Sequence, residues 1–382
     1  MTGVGRIIFG RGKAARIGEL AAGLGSAALL IYNGTVPERI AKSLADANVA
    51  VTALRQRGEP LVSDVDAAVS AAKDASCNLV IGLGGGSAID LAKATAGILG
   101  NGGEVLDYME VIGRGLPLSR PAAPWIAIPT TAGTGAEATR NAVIGLKEKQ
   151  FKASLRSEHL YPRIALIDPE LAVGVPPDVT ARTGMDALCQ LIESYTSTGA
   201  QPITDALALQ GICLAARSLK RAYENGADLD AREDMALAAL LSGITLTNAG
   251  LGAVHGFAAP LGAQFPIPHG TICAVLLPHV IAANVAALRE QSAEIPTLAR
   301  YADVGRILAA QPALDSAAAI DACARCTAEL TRELHIPPLH HFGFADGDIA
   351  NVLPLARRSS SMRFNPVLLS NDALADVLRK AI

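Results

Sequence analysis

Short runs of apolar residues alternate with amphipathic helical segments from the N-terminus to about residue 170. The runs AALLIYN (27–33), AVTALR (50–55) and NLVIGL (78–83) predict strands. The third run is apolar on both faces, as strands at the centre of a parallel sheet are. PERIAKSLADAN (37–48) and VDAAVSAAKDA (65–75) predict helices between them. This alternation is typical of a parallel sheet with crossover helices.

The alternation ends after LYPRIALIDPEL (160–171), and Pro176-Pro177-Asp178 marks a domain boundary. Beyond it the apolar positions recur with the period of helices, and no stretch predicts a strand. Helices are predicted over 178–199, 203–223, 230–249, 270–290, 294–311, 314–335, 346–357 and 371–381. The length of 382 residues exceeds the usual size of a single core. The predicted fold is an α/β N-terminal domain with a parallel sheet over residues 1–177 and an all-α helical domain over residues 178–382.

Composition narrows the functional classes. Of the residues, 50% are hydrophobic and 4% are aromatic, which is typical of an enzyme rather than of a binding module with exposed aromatic side chains. The net charge of −3 and the lack of a Lys/Arg run give no reason to expect nucleic acid as a partner. The N-terminal segment lacks the apolar core of a signal peptide, and no charge-free apolar stretch of about eighteen residues follows. We therefore expect a cytoplasmic protein with no membrane partner.

The six cysteines are scattered among apolar neighbours at Cys77, Cys189, Cys213, Cys273, Cys323 and Cys326. None has disulfide-like spacing, so all six are interpreted as reduced core residues. Cys323 and Cys326 have the spacing of half a zinc or redox motif. Because no second pair follows and the surrounding pattern predicts a helix, we interpret them as part of a core helix.

A glycine-rich turn follows the third predicted strand. Gly84, Gly85, Gly86 and Ser87 lie between that strand and the predicted helix AIDLAKATAGIL (88–99). Residues without a Cβ let the backbone approach a ligand, and free amides at a helix start favour a phosphate. The turn matches neither the G-x-G-x-x-G fingerprint nor a P-loop. It is interpreted as a pyrophosphate site, with a simple tight turn as the alternative.

A second polar loop follows the predicted strand PWIAIPT (124–130). It runs Thr130-Thr131-Ala132-Gly133-Thr134-Gly135 and supplies hydroxyl and amide donors that suit phosphate and ribose oxygens. A polar hairpin loop is the alternative. Two such loops in one α/β domain favour a dinucleotide over a mononucleotide, because two distant polar groups must be held.

Two histidines lie in a stretch of small apolar residues and prolines, NAGLGAVHGFAAPLGAQFPIPHG (248–270). Neutral imidazoles such as His255 and His269 are common metal ligands. Upstream, Asp186 and Gln190 are four residues apart on a predicted helix and share one face. One carboxylate, one amide oxygen and two imidazoles would surround a divalent cation. The alternative for each residue alone is a hydrogen-bonded position in the core.

Taken together, GGGSAIDLAK (84–93), TTAGTGAEAT (130–139), GMDALCQLIE (184–193) and VHGFAAPLGAQFPIPHG (254–270) resemble the iron-containing, group III alcohol dehydrogenase family. The motifs occur in the same order and at similar spacings, and the resemblance covers essentially the whole chain. It implies a Rossmann-like dinucleotide-binding domain, a helical domain, and a cleft between them for NAD(P) and a catalytic divalent metal. Dehydroquinate synthases share this architecture.

The resemblance also implies roles for single residues. The nucleotide-binding positions of the family fall on Gly84, Gly85, Gly86, Ser87, Thr130, Thr131, Gly133 and Thr134, with the ribose-contacting lysine at Lys152. The metal ligands fall on Asp186, Gln190, His255 and His269. Of these, Asp186, His255 and His269 are the expected catalytic set. Asp90 and Lys93 match the first motif, and no chemistry is assigned to them.

Three positions depart from the family pattern. Gln190 stands where the family usually has a histidine ligand, and Ala259 stands where it has a second, non-ligand histidine. An amide oxygen is a weaker donor than imidazole, so metal retention should be weak; Fe²⁺ is the expected metal and Zn²⁺ the alternative. Asn33 stands where many members carry an aspartate that binds the adenosine ribose. NADP(H) should therefore be tolerated beside NAD(H).

The predicted function is an NAD(P)- and metal-dependent alcohol dehydrogenase or aldehyde reductase that acts on a small alcohol or carbonyl substrate. A homodimer or larger homo-oligomer is expected. Three alternatives stay open. They are a metal-free oxidoreductase resembling maleylacetate reductases, a lyase resembling dehydroquinate synthases, and a catalytically inactive nucleotide-binding protein.

Overall fold

The computed structural model describes residues 2–147, 151–292 and 295–382. It divides the chain into two compact units. The N-terminal unit comprises the residues up to Thr131 together with Gly135–Gly174, and the C-terminal unit comprises Ala132–Thr134 and Val175–Ile382. The division therefore falls between Gly174 and Val175 rather than between residues 177 and 178, and the middle of the second polar loop belongs with the C-terminal unit.

The N-terminal unit is built on strands β1 (Ile7–Phe9), β2 (Ala27–Tyr32), β3 (Ala50–Arg55), β4 (Leu79–Gly84), β5 (Trp125–Pro129), β6 (Asn141–Leu146), β7 (Phe151–Arg156) and β8 (Ile164–Ile167). Six of them form a parallel sheet in the order β1-β8-β5-β4-β2-β3. The connecting helices are α1 (Ile17–Ala22), α2 (Glu38–Asp46), α3 (Val62–Asp74), α4 (Gly86–Asn101) and α5 (Val105–Tyr108). This confirms the predicted α/β class.

Alternate residues of the strands pack on opposite faces of the sheet. Leu29 and Ile31 of β2 join one apolar cluster with α3 and α4, whereas Ala28 and Leu30 join a second cluster with α1 and α2. All residues of β4 are buried, as predicted from the apolar residues on both faces of this stretch. Helices therefore cover both faces of the parallel sheet.

The connections around β2 create a topological switch point. The chain passes from β2 to β3 on one side and then returns to place β4 on the other side of β2. In open parallel sheets, ligands bind outside the carboxyl ends of two such diverging strands. Asn33 follows β2 and the glycine turn follows β4, so both lie at this place.

Strands β6 and β7 pair with each other in antiparallel fashion, from Asn141 opposite Arg156 to Leu146 opposite Phe151. This hairpin was not predicted from the sequence. Its segments stand outside the strand-helix alternation that identified the parallel strands, and antiparallel pairing depends on two segments meeting in space rather than on either pattern alone.

Lys93 of α4 is fully buried and holds the start of β6 in place. Its ammonium group donates to the carbonyl oxygens of Ala136 (2.8 Å) and Asn141 (2.7 Å) and to Thr139 Oγ1 (2.8 Å). A buried ammonium with several acceptors is well satisfied. The residue therefore fixes the chain between β5 and β6, in agreement with the absence of an assigned chemical role.

Glu137 lies beside this lysine and predicts a pH dependence of stability. Burial raises the pKa of Glu137 to about 7, although a backbone hydrogen bond and Lys93 oppose the shift. Because the folded state holds this proton more tightly than the unfolded state, stability falls as the pH rises from about 4.5 to about 7, by up to about 3 kcal/mol. Glu137→Gln should therefore lose less stability than the wild type between pH 5 and pH 8.

The measurement is urea unfolding at both pH values, followed by the fluorescence of Trp125, which is the single tryptophan and is buried in β5. Glu158→Gln is the control, because Glu158 is a surface residue paired with Arg140. An equal pH dependence in wild type and Glu137→Gln would contradict the expected titration.

The described residues of the C-terminal unit form helices joined by loops, and they contain no strand. Its helices are α6 (Pro177–Thr196), α7 (Pro202–Glu224), α8 (Leu229–Ala249), α9 (Ala253–Gln264), α10 (His269–Gln291), α11 (Pro296–Leu308), α12 (Ser316–Glu333), α13 (Ile349–Arg358) and α14 (Asn371–Lys380). All but α9 were predicted. Helix α9 contains three residues that weaken helices, Gly256, Pro260 and Gly262, and its burial in the core stabilises it instead.

Helices α6 and α10 lie within the large apolar cluster of this unit. The expectation that no apolar stretch of about eighteen residues is present was wrong at α10, which is, of the described helices, long and apolar enough to cross a membrane. The bent pair α8 and α9 meets the same criteria if it is counted as one broken span. Within the fold, 72% of the apolar window of α10 is buried, as in the core helix of a globular protein. Helix α12 carries Cys323 and Cys326, so the predicted core helix is present.

Candidate functional site

Three of the predicted metal ligands meet in the C-terminal unit. Asp186 lies in the middle of α6, His255 lies in the first turn of α9, and His269 is the first residue of α10. The Nε2 atoms of His255 and His269 lie 3.3 Å and 3.5 Å from Asp186 Oδ1. Asp186 and His255 are buried, whereas the side chain of His269 is 44% exposed. The group is therefore open to solvent on the His269 side.

Glu193 fixes the orientation of His255. Its Oε2 lies 2.6 Å from His255 Nδ1, and its Oε1 accepts a hydrogen bond of 2.7 Å from the backbone N–H of Val254. With Nδ1 donating its proton to this carboxylate, the lone pair of Nε2 points toward Asp186. Glu193 was not among the predicted site residues, although its position seven residues after Asp186 places it on the same face of α6.

The charges of this cluster attract a cation. Burial opposes the charged form of Asp186, but His269 and His255 outweigh it and hold the pKa of this carboxyl well below its usual range. Burial lowers the pKa of His269, yet Cys273 and Asp186 together raise it to about 10. A positive charge is therefore stabilised where the two Nε2 atoms face Asp186 Oδ1. Two imidazole nitrogens and a carboxylate oxygen are ligands that suit a divalent transition metal, so these residues fit such an ion.

Cys273 joins the cluster from α10. Its Sγ lies 3.6 Å from His255 Nε2 and 3.7 Å from His269 Nε2, and the residue is fully buried. One candidate atom from each of Asp186, His255, His269 and Cys273 lies within 4.8 Å of the other three. The interpretation of Cys273 as a mere core residue was therefore incomplete, since it is reduced and buried but lies at the site. The spacing of four residues between His269 and Cys273 places both on one face of a helix, and it could have indicated that Cys273 lies at the site.

Gln190 is buried one turn after Asp186, as the spacing predicted. Its amide Oε1 accepts a hydrogen bond of 2.7 Å from the hydroxyl of Ser242 on α8. The atom that would bind a metal thus has a protein donor. Whether it also binds a metal stays a prediction.

The glycine turn forms a second candidate site, in the N-terminal unit. Gly84 has φ +153, and a Cβ there would lie 2.1 Å from Asn33 Oδ1, so this position requires glycine. Asn33 Oδ1 accepts a hydrogen bond of 3.1 Å from the N–H of Gly85, and Thr130 N–H donates to Gly84 O over 2.9 Å. A Cβ on Gly85 would lie 3.2 Å from Thr131 Oγ1. The structure therefore brings Asn33, the turn and the first two residues of the second loop together.

Helix α4 begins at Gly86, directly after this turn, and includes Ser87. Its first amides have no partner within the helix and carry the positive end of the helix dipole. Backbone amides beside a side-chain-free turn suit a pyrophosphate. The arrangement at the switch point therefore fits a dinucleotide.

The other three predicted nucleotide residues have different neighbours. Gly133 and Thr134 belong to the C-terminal unit, where a Cβ on Gly133 would lie 2.7 Å from Thr183 Cβ. Lys152 lies on β7 opposite Gly145, and its ammonium forms an ion pair with Glu59. The nucleotide contacts of these three residues stay predictions.

Comparison with known proteins identifies relatives along the whole chain. A model of iron-containing alcohol dehydrogenases matches residues 5–169, and a model of the C-terminal part of the Fe-containing alcohol dehydrogenase family matches residues 180–382. The chain is 32% identical to the NAD-dependent methanol dehydrogenase of Bacillus methanolicus, over 98% of this chain and 97% of that protein. The structure of a 1,3-propanediol oxidoreductase is similar with a TM-score of 0.91 and 30% identity, over 100% of this chain and 99% of the other.

A higher identity over a shorter span relates the chain to alcohol dehydrogenase 4 of Saccharomyces cerevisiae. The two are 45% identical over 241 residues, which is 63% of this chain. The match spans 62% of the yeast protein, less than two thirds of its length.

Proposed function

Since this chain belongs to the iron-containing alcohol dehydrogenase family, we propose that it transfers hydride between a nicotinamide dinucleotide and a small alcohol, aldehyde or ketone, with the help of a divalent metal. The observation that carries the proposal is the convergence of His255 Nε2 and His269 Nε2 on Asp186 Oδ1, at 3.3 Å and 3.5 Å. A carboxylate there would hinder a metal-free polarisation of a carbonyl, because it repels the developing negative charge.

Asp186, His255 and His269 would hold the cation, which would polarise the substrate oxygen as a Lewis acid, while the nicotinamide would donate or accept hydride. Asp186 contributes the negative charge that holds the cation, and Glu193 keeps His255 in the tautomer that presents Nε2. The exposed side of His269 gives the substrate access. Because the chain has Ala259 in place of the family's additional histidine, the substrate proton would pass through water or the ribose hydroxyls.

The backbone at the end of β4 would hold the nucleotide. The segment from Gly84 to Ser87, which ends β4 and begins α4, would let the pyrophosphate approach the first amides of α4. Thr130 and Thr131 add hydroxyl donors beside Gly85. NAD is the expected cofactor, and the amide at Asn33 allows NADP as well. Fe²⁺ is the expected metal, with Zn²⁺ as the alternative.

Asn33→Asp should shift the preference toward NAD(H). The new carboxylate keeps an oxygen that can accept the Gly85 N–H, so the turn should be preserved, while the added charge repels the 2′-phosphate of NADP. We expect the ratio of kcat/KM for NADH over NADPH to rise roughly tenfold, the equivalent of about 1.4 kcal/mol. Steady-state assays with both nucleotides provide the measurement.

Asn371→Asp at the start of α14 is the matched control, because it adds the same charge far along the chain. A wild type that rejects NADPH outright, or a cofactor ratio that stays the same in Asn33→Asp, would show that Asn33 does not discriminate between the nucleotides.

The proposed function is tested by assaying a panel of alcohols, aldehydes and ketones through nicotinamide absorbance. The protein is first treated with a chelator and then supplied with Fe²⁺ or Zn²⁺. Activity that disappears with the metal and returns with it supports the proposal. Full activity without metal would favour a metal-free reductase, and the absence of net nicotinamide turnover with every substrate and metal would favour a lyase or an inactive binding protein.

In this proposal the protein works in the cytoplasm as a homodimer or larger homo-oligomer, with a small molecule as its substrate and without nucleic acid or membrane partners. The burial of α10 within the fold supports the absence of a membrane partner. The net charge of −3 supports the absence of a nucleic acid partner.

A further inference from the structure

We propose that Cys273 is the fourth protein ligand of the metal, in place of Gln190, and that the resulting site prefers Zn²⁺ to Fe²⁺. The inference rests on the metal-dependent function proposed above and assigns a ligand that the family resemblance does not. It depends on the distances among four side chains, on the direction of α10, and on the hydrogen bond made by Gln190.

The distances agree with a tetrahedral site. For zinc bond lengths to nitrogen, oxygen and sulfur, tetrahedral angles separate a nitrogen from an oxygen by roughly 3.3 Å and a nitrogen from a sulfur by roughly 3.6 Å. The His255 and His269 Nε2 atoms lie 3.3 Å and 3.5 Å from Asp186 Oδ1. They lie 3.6 Å and 3.7 Å from Cys273 Sγ. All four distances thus fit ligand atoms that share one centre.

The helix that carries His269 also directs Cys273 to this centre. His269 is the first residue of α10 and Cys273 follows four residues later, so the two side chains lie on one face. Cys273 is fully buried, and its sulfur faces the two histidines instead of a purely apolar neighbourhood. His269 and Cys273 could therefore bind one metal ion without a change in the backbone of α10.

Gln190 is the weaker candidate for the same position. Its Oε1 already accepts a hydrogen bond of 2.7 Å from Ser242, which reduces the electron density available to a metal. A neutral amide oxygen is also a poorer ligand for a transition metal than a thiolate. We therefore assign Gln190 to the support of α6 against α8 through Ser242.

The charge and softness of the four ligands select the metal. One carboxylate, one thiolate and two neutral imidazoles carry two negative charges, which a divalent cation neutralises in a buried site. Thiolate ligands favour Zn²⁺ over harder ions. Substrate can still reach the cation because His269 leaves one side open, and zinc sites can expand to five ligands.

Cys189 provides the matched control. It is buried and reduced like Cys273, but its sulfur lies 3.9 Å from His255 Nδ1, which is the nitrogen that bonds to Glu193. Its sulfur lies on the Nδ1 side of the ring, where it contacts Cys273 rather than the two Nε2 atoms of the proposed centre. Cys189→Ser should leave the metal ligands unchanged.

The test replaces the metal with Co²⁺, whose spectrum reports its ligands. Protein stripped by a chelator under reducing conditions is titrated with Co²⁺, and the near-ultraviolet sulfur-to-cobalt charge-transfer band is recorded with the visible d–d bands. Wild type, Cys189→Ser and Gln190→Leu should show the sulfur band. Cys273→Ser and Cys273→Ala should bind Co²⁺ without it. Competition with a chromophoric chelator should show Zn²⁺ affinity lowered at least about tenfold in Cys273→Ser.

Co²⁺ bound to the wild type without a sulfur band would overturn the inference and leave the metal-dependent function intact. A band that survives in both Cys273 variants, or that disappears in Cys189→Ser instead, would also overturn it. A wild type that binds no Co²⁺ and no Zn²⁺ would overturn both the inference and the metal-dependent function. If the Cys273 variants do not fold, the spectra of the wild type and Cys189→Ser decide whether the sulfur of Cys273 binds the metal.

Discussion

Asp186→Ala should lower turnover by at least about a thousandfold while the binding of NAD(H) stays unchanged. Asp186 is the buried carboxylate on which the Nε2 atoms of His255 and His269 converge. Without it the cluster loses the carboxylate that faces both Nε2 atoms, so a cation there would lose one of its anionic ligands. Metal content should fall together with activity.

Nucleotide binding should survive because it depends on other residues. Asp186 belongs to the C-terminal unit, whereas Asn33, the glycine turn and Thr131 belong to the N-terminal unit. The measurements are steady-state turnover, metal content by elemental analysis, and NADH binding by fluorescence titration. Asp178→Ala is the control, because it removes an exposed aspartate from the first turn of the same helix. A correctly folded Asp186→Ala protein that has lost NADH binding would contradict this division of roles.

Gly85→Val should have the opposite effect, lowering affinity for the dinucleotide at least about a hundredfold while the metal is retained. Gly85 precedes α4 with φ −75 and ψ −175, a conformation that valine adopts readily. Its side chain would enter the space beside Thr131 Oγ1 through which a pyrophosphate must approach the helix amides. The loss should therefore come from steric exclusion rather than from misfolding.

Gly85 is a sharper choice than Gly84 for this experiment. A Cβ on Gly84 would lie 2.1 Å from Asn33 Oδ1 at φ +153, so a substitution there would disturb the fold itself. Gly174→Val is the matched control, since a Cβ at that position has no atom within 4 Å. NADH titration and metal analysis of both variants give the result. Normal NADH binding by Gly85→Val would mean that the pyrophosphate lies elsewhere.

Most strands and helices follow from local patterns. The apolar run at β4 predicted a buried central strand, and its residues are all buried. The amphipathic stretch at α6 correctly placed Asp186 and Gln190 one turn apart. These features depend on the periodicity of a single segment, which the order of residues contains. The hairpin of β6 and β7 was missed because its local pattern is uninformative, and helix α9 was missed because its local pattern is unfavourable to a helix. Tertiary contacts stabilise both elements.

The sequence by itself determined the two fold classes, the glycine turn, and the candidate ligands Asp186, His255 and His269, since these depend on local periodicity and on motif order. Only the tertiary structure revealed that Glu193 orients His255, that Ser242 bonds to Gln190, and that Cys273 lies beside His255. Each of these contacts joins side chains on different helices that are far apart in sequence. Which helix faces meet is decided by the packing of the whole core, and no single segment contains that information.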